Sequence, residues 1–449
     1  MAWLCGVFHA RKSGVRGIWV GYTHMTESAM RPKLLTTLRA YTRAQFLADL
    51  MAGITVAMVA LPLSLAIAIA SGAPPATGLV TAIVAGMLIS AFGGSRVQIG
   101  GPTGAFIVVV YGVIARHGYD GLVLATLMAG VLLVIAGLLR VGYLIRYVPE
   151  AVINGFTIGI AIVIATSQIS DLLGLQVTDV PAAFLEKLPV LWQARDTLNA
   201  AALVVGVTTM GLIVAFRRAA PQLPGLIVAV AITSAVVVLA SLPVDTITSR
   251  FGALPDRLPL PAPPDISLSR LVALLPSALI IAFLAGIESL LSAMVADRMI
   301  GGNTRPNAEV LAQGYANIGS ALFGGLPATG AIARTATNVR AGGKTPVAGI
   351  VHALTILAIM MLAAPLAGNM AMPALAALLI LTAWNMAEPQ KWRSYLAGRR
   401  SDLVLLLLTM TLTVLTDLAL AIGVGVALGL ALRLMRRDVP PEKWDPRER

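Results

Sequence analysis

The stretch from Phe323 to Lys344 reads FGGLPATGAIARTATNVRAGGK and decides how the chain around it is organised. Glycine and proline interrupt its start, and Gly342 and Gly343 interrupt its end, which leaves Ala331–Arg340, about ten residues, between them. A helix that crosses a bilayer needs about 20 residues. The stretch therefore predicts a half-helix, and it carries a cation, Arg334, near the start of that half-helix.

A second stretch, Phe92–Ala105, has the same form and reads FGGSRVQIGGPTGA. Both stretches begin with Phe-Gly-Gly, and both open a helix with Thr-Gly-Ala, at Thr103–Ala105 and at Thr329–Ala331. Interrupted segments at matching places in two halves indicate a transporter binding site. The N-terminal end of a half-helix carries free N–H groups and a positive dipole end, which suit an anion. Two such ends together with Arg334 predict an anion site.

The composition is that of a membrane protein. Hydrophobic residues make up 57% of the chain and charged residues 12%, and the mean hydropathy is +0.85. Soluble domains carry about 25% charged residues, so we expect an all-α polytopic membrane protein. The net charge of +12 then belongs to loops that orient the chain, not to nucleic-acid binding. The sequence has a single cysteine and four scattered histidines, and it shows no set of residues typical of an enzyme active site, a metal site or a cofactor site.

Hydropathy divides the chain into fourteen transmembrane segments, which form two repeats of seven with the half-helix third in each. Because seven is odd, the second repeat is inverted relative to the first. The predicted divisions are a disordered or interfacial leader (1–35), the first repeat (36–242), a proline-rich loop (243–269), the second repeat (270–436) and a short tail (437–449).

Loop charges predict the orientation. Loops on one side carry thirteen Lys and Arg residues. Loops on the other side carry six, and most of these six lie in two long loops. Because cytoplasmic loops are enriched in Lys and Arg, both termini are expected in the cytoplasm, with the protein in the inner membrane.

Two ionisable residues, Glu288 and Arg334, fall well inside apolar segments. A charge at mid-membrane costs about 2.5–3.5 kcal/mol on insertion scales, so it needs a partner or a function. A structural ion pair between the two residues is possible, but we favour a functional role. Glu288 and Ser292 share one helix face, and an acid with a hydroxyl can hold a coupling proton or a sodium ion.

These motifs together resemble the sulfate permease (SulP) family of anion transporters, over roughly Tyr41 to Met435. The resemblance rests on ADLMAG at 48–53, ALP at 60–62, AIA at 66–68, FGGSR at 92–96, GPTGA at 101–105, IES at 287–289, Arg334 and GGKT at 342–345.

The resemblance implies a uracil-permease-like fold with a core domain (spans one to four and eight to eleven) and a gate domain (the remaining spans). It implies a substrate site between the third and tenth segments, and members of the family carry sulfate, bicarbonate, chloride or dicarboxylates, many as dimers. By position, the site residues are Ser64, Ile67, Thr103, Gly104, Ala105, Glu288, Ala331, Ile332, Ala333 and Arg334. The C-terminal STAS domain usual in the family has no counterpart in this sequence.

The leading hypothesis is a secondary active anion symporter, coupled to protons and working by an elevator-like movement. A sodium-coupled bicarbonate symporter is the nearest alternative, because that branch of the family carries an aspartate and a threonine where this chain has Glu288 and Ser292. The longer glutamate fills space that sodium would occupy and favours protons. An uncoupled anion channel on the same fold is a further alternative. The expected partners are the anion, a proton or sodium ion, the lipid bilayer and a second copy in a homodimer.

Overall fold

The computed structural model describes residues 30–142, 150–177, 181, 183–220 and 224–416, together with 421, 423–425, 427–429 and 431. The predicted tail, most of the predicted leader and part of the fourteenth predicted span lie outside these residues. The described chain is almost entirely helical, as its apolar composition predicts.

The helices of the first half follow the predicted segments. Their bounds are α1 Lys33–Thr37, α2 Arg43–Ala70, α3 Pro75–Phe92, α4 Ile107–Leu138, α5 Glu150–Ser167, α6 Ile169–Leu173, α7 Phe184–Gln193, α8 Ala200–Ala219, α9 Gly225–Leu239 and α10 Ile247–Phe251. The third and fourth predicted segments lie on one helix, α4, which a 3₁₀ turn at Gly104–Phe106 precedes. Gly118 interrupts α4 with φ 69°, a left-handed conformation that favours glycine, so the predicted break is present as a kink.

The second half contains the other interrupted segment. Its helices are α11 Leu268–Ile300, α12 Pro306–Leu322, α13 Ile332–Arg340, α14 Val347–Gly368, α15 Met372–Met386, α16 Trp392–Ala397 and α17 Arg400–Leu415. The predicted half-helix is α13, which is nine residues long. The twelfth segment, which hydropathy predicts at Met372–Met386, has the same bounds as α15.

Within the described part of the chain, seven helices are long and apolar enough to cross a membrane. They are Arg43–Ala70, Pro75–Phe92, Gly104–Leu138, Glu150–Leu173, Ala200–Ala219, Leu268–Ile300 and Val347–Gly368. Helix α9 is apolar but shorter. These helices support a multi-pass membrane protein.

The helices pack mainly within two groups. Helices α2, α3, α4, α11, α12, α13 and α14 form the first group. Helices α5, α6, α8, α9, α15 and α17 form the second group. The groups meet where α15 and α9 pack against α2, and where α5 and α15 contact the turn that precedes α4.

Two short strands lie inside the first group. Strand β1 (Gly100–Gly101) pairs antiparallel with β2 (Thr329–Gly330), and the partners are Gly100 with Gly330 and Gly101 with Thr329. A further bond, from the Ala331 N–H to the Ile99 carbonyl at 2.8 Å, extends the pairing. The extended piece of one interrupted segment therefore satisfies the backbone of the other, which an apolar surrounding requires.

Candidate functional site

The two interrupted segments bring two helix starts to the ends of one strand pair. Thr103 precedes the 3₁₀ turn that leads into α4, and Ala331 precedes α13. Neither of these N-cap residues accepts a side-chain hydrogen bond from its own helix start. The first N–H groups of a helix have no intrahelical acceptor, so both starts can donate to a small anion.

The predicted site residues of α13 point in two directions. Ile332 is 44% exposed and Ala333 is also exposed, whereas Arg334 is only 1% exposed. The open side of α13 is therefore lined by its first two residues and their backbone. The Arg334 side chain leaves that side and enters the packed group.

Inside the group, Nη2 of Arg334 donates to Ser64 Oγ at 3.0 Å, and Ser64 Oγ donates to the Ala60 carbonyl. Nε and Nη1 of Arg334 have no hydrogen-bond partner among the described residues. A side chain at Gly101 would place its Cβ 2.4 Å from Nη1, so glycine is needed where the guanidinium passes β1. Arg334 is thus a buried cation beside the strand pair that leads into both helix starts.

Glu288 lies on α11, which packs against β2, and the residue is half-buried. Its Oε2 accepts a 2.9 Å bond from the Thr103 hydroxyl, the residue that precedes the first helix start. Among the described residues, no ion pair within 4.0 Å joins Glu288 to Arg334. The structural ion pair considered from the sequence is therefore absent, because Arg334 turns towards α2 while Glu288 turns towards Thr103.

Ser292 follows Glu288 by one helical turn, but its surroundings differ. It is fully buried, and its hydroxyl bonds that of Thr335 on α13 at 3.2 Å. Thr335 also accepts the Ile99 N–H at 3.1 Å. In this arrangement Ser292 connects α11 to α13, and its hydroxyl bonds α13 rather than the Glu288 carboxylate.

The remaining predicted site residues are closely packed. Ser64, Ile67 and Ala105 are each no more than 3% exposed. At Gly104, a Cβ would lie 3.2 Å from Met386 Sδ and 3.5 Å from Ile164 Cδ1. These two apolar side chains come from α15 and α5, so the second group of helices rests on the start of α4.

A second buried carboxylate, Glu309 on α12, was not singled out by the sequence analysis. Its Oε2 accepts the N–H groups of Gly94 and Ser95 at 2.9 and 3.2 Å. Its Oε1 accepts Ser289 Oγ at 2.8 Å and Gln313 Nε2 at 2.9 Å. Glu309 therefore ties the loop before β1 to α11, directly beside Glu288. The sequence signal was weak because Glu309 lies near the start of its helix, where acidic residues are common.

Asp49, near the start of α2, is likewise fully buried although the sequence suggests a segment end. It accepts the backbone N–H groups of Lys344 and Thr345, and the hydroxyl of Tyr41 at 2.9 Å. Asp49 thus anchors α2 to the loop that follows α13. His352 on α14 is also fully buried, and neither of its ring nitrogens has a hydrogen-bond partner in the described chain.

Comparisons with known proteins agree with this architecture. A family model described as "Sulfate permease family" matches residues 46–409. YvdB of Bacillus subtilis (strain 168), a protein named for sulfate transport, is 42% identical over 370 residues, which cover 82% of this chain and 70% of YvdB. The bicarbonate transporter BicA of Picosynechococcus sp. is 30% identical over 342 residues, 73% of this chain and 59% of BicA.

A solved structure of the transmembrane domain of a cyanobacterium bicarbonate transporter BicA is similar in fold, with a TM-score of 0.76 and 28% sequence identity. The match covers 86% of this chain and 98% of that chain. The helical arrangement described above is therefore similar to that of a transporter domain over almost its whole length.

Proposed function

We propose an activity from one established premise, which is that the chain belongs to the sulfate permease family. Relatives in this family are named as sulfate and bicarbonate transporters, and they support anion transport. The proposed function is secondary active transport of a small anion such as sulfate, bicarbonate or a dicarboxylate, by proton-coupled symport.

The two uncapped helix starts at the ends of one strand pair are the main support for anion binding. The exposed residues Ile332 and Ala333 leave the α13 start accessible. Arg334, buried and without a carboxylate partner in the described chain, adds positive potential from behind the strands. In a low-dielectric surrounding this potential is weakly screened, so an anion gains more there than it would in water.

Glu288 supplies a route to coupling. Its carboxylate lies at hydrogen-bond distance from Thr103, next to the helix start that would bind the anion. An ionised Glu288 repels a bound anion, whereas a protonated Glu288 does not. Anion and proton therefore favour each other's binding, and this reciprocity is what a symporter needs.

The two groups of helices suggest how the site moves. In this proposal the group that holds the strand pair is the core domain, and the second group is the gate domain. Ile164 and Met386 of the gate rest on Gly104, so they would slide past the site as the core moves in an elevator-like step. The fourteen-span inverted repeat, with repeats at 36–242 and 270–436, is part of the same proposal.

The membrane setting of the proposal comes from the loop charges and the family. An excess of Lys and Arg in alternate loops supports cytoplasmic termini in the inner membrane. The family resemblance further supports the proposal that two copies of the chain form a homodimer.

Uptake into proteoliposomes tests the proposal. Sulfate, bicarbonate, fumarate and chloride are offered one at a time, first under an inward proton gradient and then under an inward sodium gradient. We expect proton-driven uptake of one anion, lost when Arg334→Gln removes the positive potential. A control variant, Arg257→Gln, removes an exposed positive charge far from the strands and is expected to transport normally.

Each other outcome points to a specific alternative. Uptake of bicarbonate driven only by sodium would replace the proton with sodium as the coupling ion. Flux that responds to neither gradient, and that survives Glu288→Gln, would indicate an uncoupled anion channel. Absence of flux for all four anions in well-folded protein would contradict the proposed substrate class.

A further inference from the structure

A polar cavity of about 330 Å³ lies at the end of the first group of helices, away from the strand pair. It is bounded by α1, the start of α2, the loop between α3 and β1, and the residue Thr345 before α14. The lining residues are Lys33, Thr36, Thr37, Ala40, Gln45, Arg96 and Thr345. Its volume falls within the range of small-molecule sites, about 300–1,000 Å³, but its lining is cationic and hydroxylic instead of apolar.

The charges around the cavity favour an anion. Neither Lys33 nor Arg96 makes an ion pair with a carboxylate in the described part of the chain. Burial lowers the pKa of Lys33, and the nearby positive charges of Arg305 and Arg96 lower it further, against the opposing effect of Asp297. A bound anion would relieve this repulsion between like charges.

Two carboxylates bear on the charge of the cavity. Asp297 opposes the effect of Arg305 and Arg96 on Lys33 but does not outweigh it, and Asp49 lies beside Thr345 of the lining. Asp49 already accepts bonds from the Tyr41 hydroxyl, from the backbone N–H groups of Lys344 and Thr345, and from the Thr345 hydroxyl. Both of its oxygens are therefore engaged, and neither bonds Lys33 or Arg96. Among the described residues, neither carboxylate forms an ion pair with Lys33 or Arg96, so both cations can bind an anionic ligand.

Exposed apolar side chains lie in the same part of the chain, on α1, on the 3₁₀ turn after it and on the start of α2. They are Leu35 and Leu38 at 60% and 44% exposed, Phe46 and Leu47 at 45% and 59%, and Met51 at 62%. Cationic residues beside an exposed apolar strip are typical of a membrane interface, where head groups meet acyl chains. We propose that this cavity binds the phosphate of an anionic phospholipid head group, with the acyl chains lying along the apolar residues of α1 and α2.

The lipid would join parts of the chain that are distant in sequence. The Lys33 N–H donates to the Gly93 carbonyl at 2.9 Å, and Arg305 Nη1 donates to the Arg31 carbonyl at 2.7 Å. Gly94 and Ser95, which follow Gly93, are the residues whose N–H groups hold Glu309. A head group bound between Lys33 and Arg96 would therefore hold α1 against the loop that leads to β1.

Lipid binding to the purified full-length chain tests the proposal. Delipidated protein in detergent is titrated with phosphatidylglycerol or with phosphatidylcholine of the same acyl chains, and bound lipid is counted by native mass spectrometry. We expect wild type to prefer phosphatidylglycerol about tenfold or more, since a cation near a membrane surface contributes about 1 kcal/mol to anionic lipid binding. The double variant Lys33→Gln with Arg96→Gln is expected to lose this preference.

Two further variants control for net charge and for folding. Arg399→Gln with Arg400→Gln removes the same charge from exposed positions in another loop that the sequence places on the same face, and it should keep the wild-type preference. Lys33→Arg with Arg96→Lys keeps both charges, and it should also retain phosphatidylglycerol. If the Lys33→Arg, Arg96→Lys variant does not retain phosphatidylglycerol although it melts like wild type, the two positive charges do not explain lipid binding.

Inorganic phosphate separates the lipid from a free ion. If millimolar phosphate stabilises the wild type against heating but no phosphatidylglycerol is retained, the lipid proposal is overturned. Equal retention of phosphatidylglycerol by wild type and by the Lys33→Gln, Arg96→Gln variant would overturn it as well.

Discussion

Glu288 and Glu309 are both carboxyl groups inside the first group of helices, yet their surroundings are opposite. Glu309 accepts four hydrogen bonds, from two backbone N–H groups and two side chains, and is fully buried. Glu288 accepts one, from Thr103, and is partly exposed. A carboxyl group whose oxygens are all engaged by donors is held in one place, whereas one with free lone pairs can still accept a further ligand.

These two residues illustrate how a structural carboxyl group differs from a functional one inside the membrane. Burial alone does not decide the two roles, since a carboxyl group taken out of water needs hydrogen-bond partners whether its role is structural or functional. The number of donors does distinguish them, because four donors fix the Glu309 carboxyl group in place and only one contacts Glu288. We infer that Glu309 fixes the loop before β1, while Glu288, with a single bond, is left available for the coupling role proposed above.

Glu309→Ala is expected to have the largest effect on folding. It would leave four donors without an acceptor, each costing about 1–3 kcal/mol when buried, so the total loss is expected at about 4 kcal/mol or more. The measurement is the yield of monodisperse protein and its melting temperature in detergent. Glu186→Gln, on the exposed face of α7, is the control and should change stability by less than about 0.5 kcal/mol. A normal melting temperature for Glu309→Ala would show that the four bonds do not hold the loop.

Glu288→Gln is expected to abolish gradient-driven uptake but to change stability by less than about 1 kcal/mol, because only the bond from Thr103 is altered. Uptake and melting temperature are measured on the same preparation. The comparison between the two carboxylates fails if this variant melts as early as Glu309→Ala. The coupling role fails if driven uptake persists.

Ser289→Ala probes the link between the two carboxylates. Ser289 donates to Glu309 and accepts Gln98 Nε2 at 2.8 Å. Its removal leaves one buried donor unsatisfied while Glu309 keeps three, so we expect a loss of about 1–2 kcal/mol. Thermal unfolding checks the value. A loss as large as that of Glu309→Ala would mean that the network depends on Ser289 more than on the backbone bonds.

Thr103→Val is expected to have the smallest effect. It removes a single hydrogen bond to a partly exposed carboxyl group, worth about 0.5–1.5 kcal/mol, so the apparent affinity for the anion should change about 3- to 10-fold. Concentration-dependent uptake measures this, and Thr103→Ser, which keeps the hydroxyl, should match wild type. If Thr103→Val and wild type have the same apparent affinity for the anion, the hydrogen bond from Thr103 does not contribute to coupling.

Much of the local structure could be predicted from the sequence. The short run between Gly330 and Gly342 predicted the half-helix that is seen as α13, and the bounds of α15 were predicted correctly. These features depend on residues close together in the chain, where hydropathy and helix breakers act directly. The family was identified for the same reason, since its motifs are local.

The roles of the buried charges depended on contacts between distant segments. The sequence placed Arg334 and Glu288 at one site, but packing turned Arg334 towards Ser64 on α2 and Glu288 towards Thr103. Glu309 could not be singled out from the sequence, because three of its four donors, Gly94, Ser95 and Ser289, come from other segments of the chain. Composition and spacing determined the membrane class, the half-helices and the family. Only the tertiary structure decided which buried charge is compensated, since that depends on which donors the fold brings within hydrogen-bond distance.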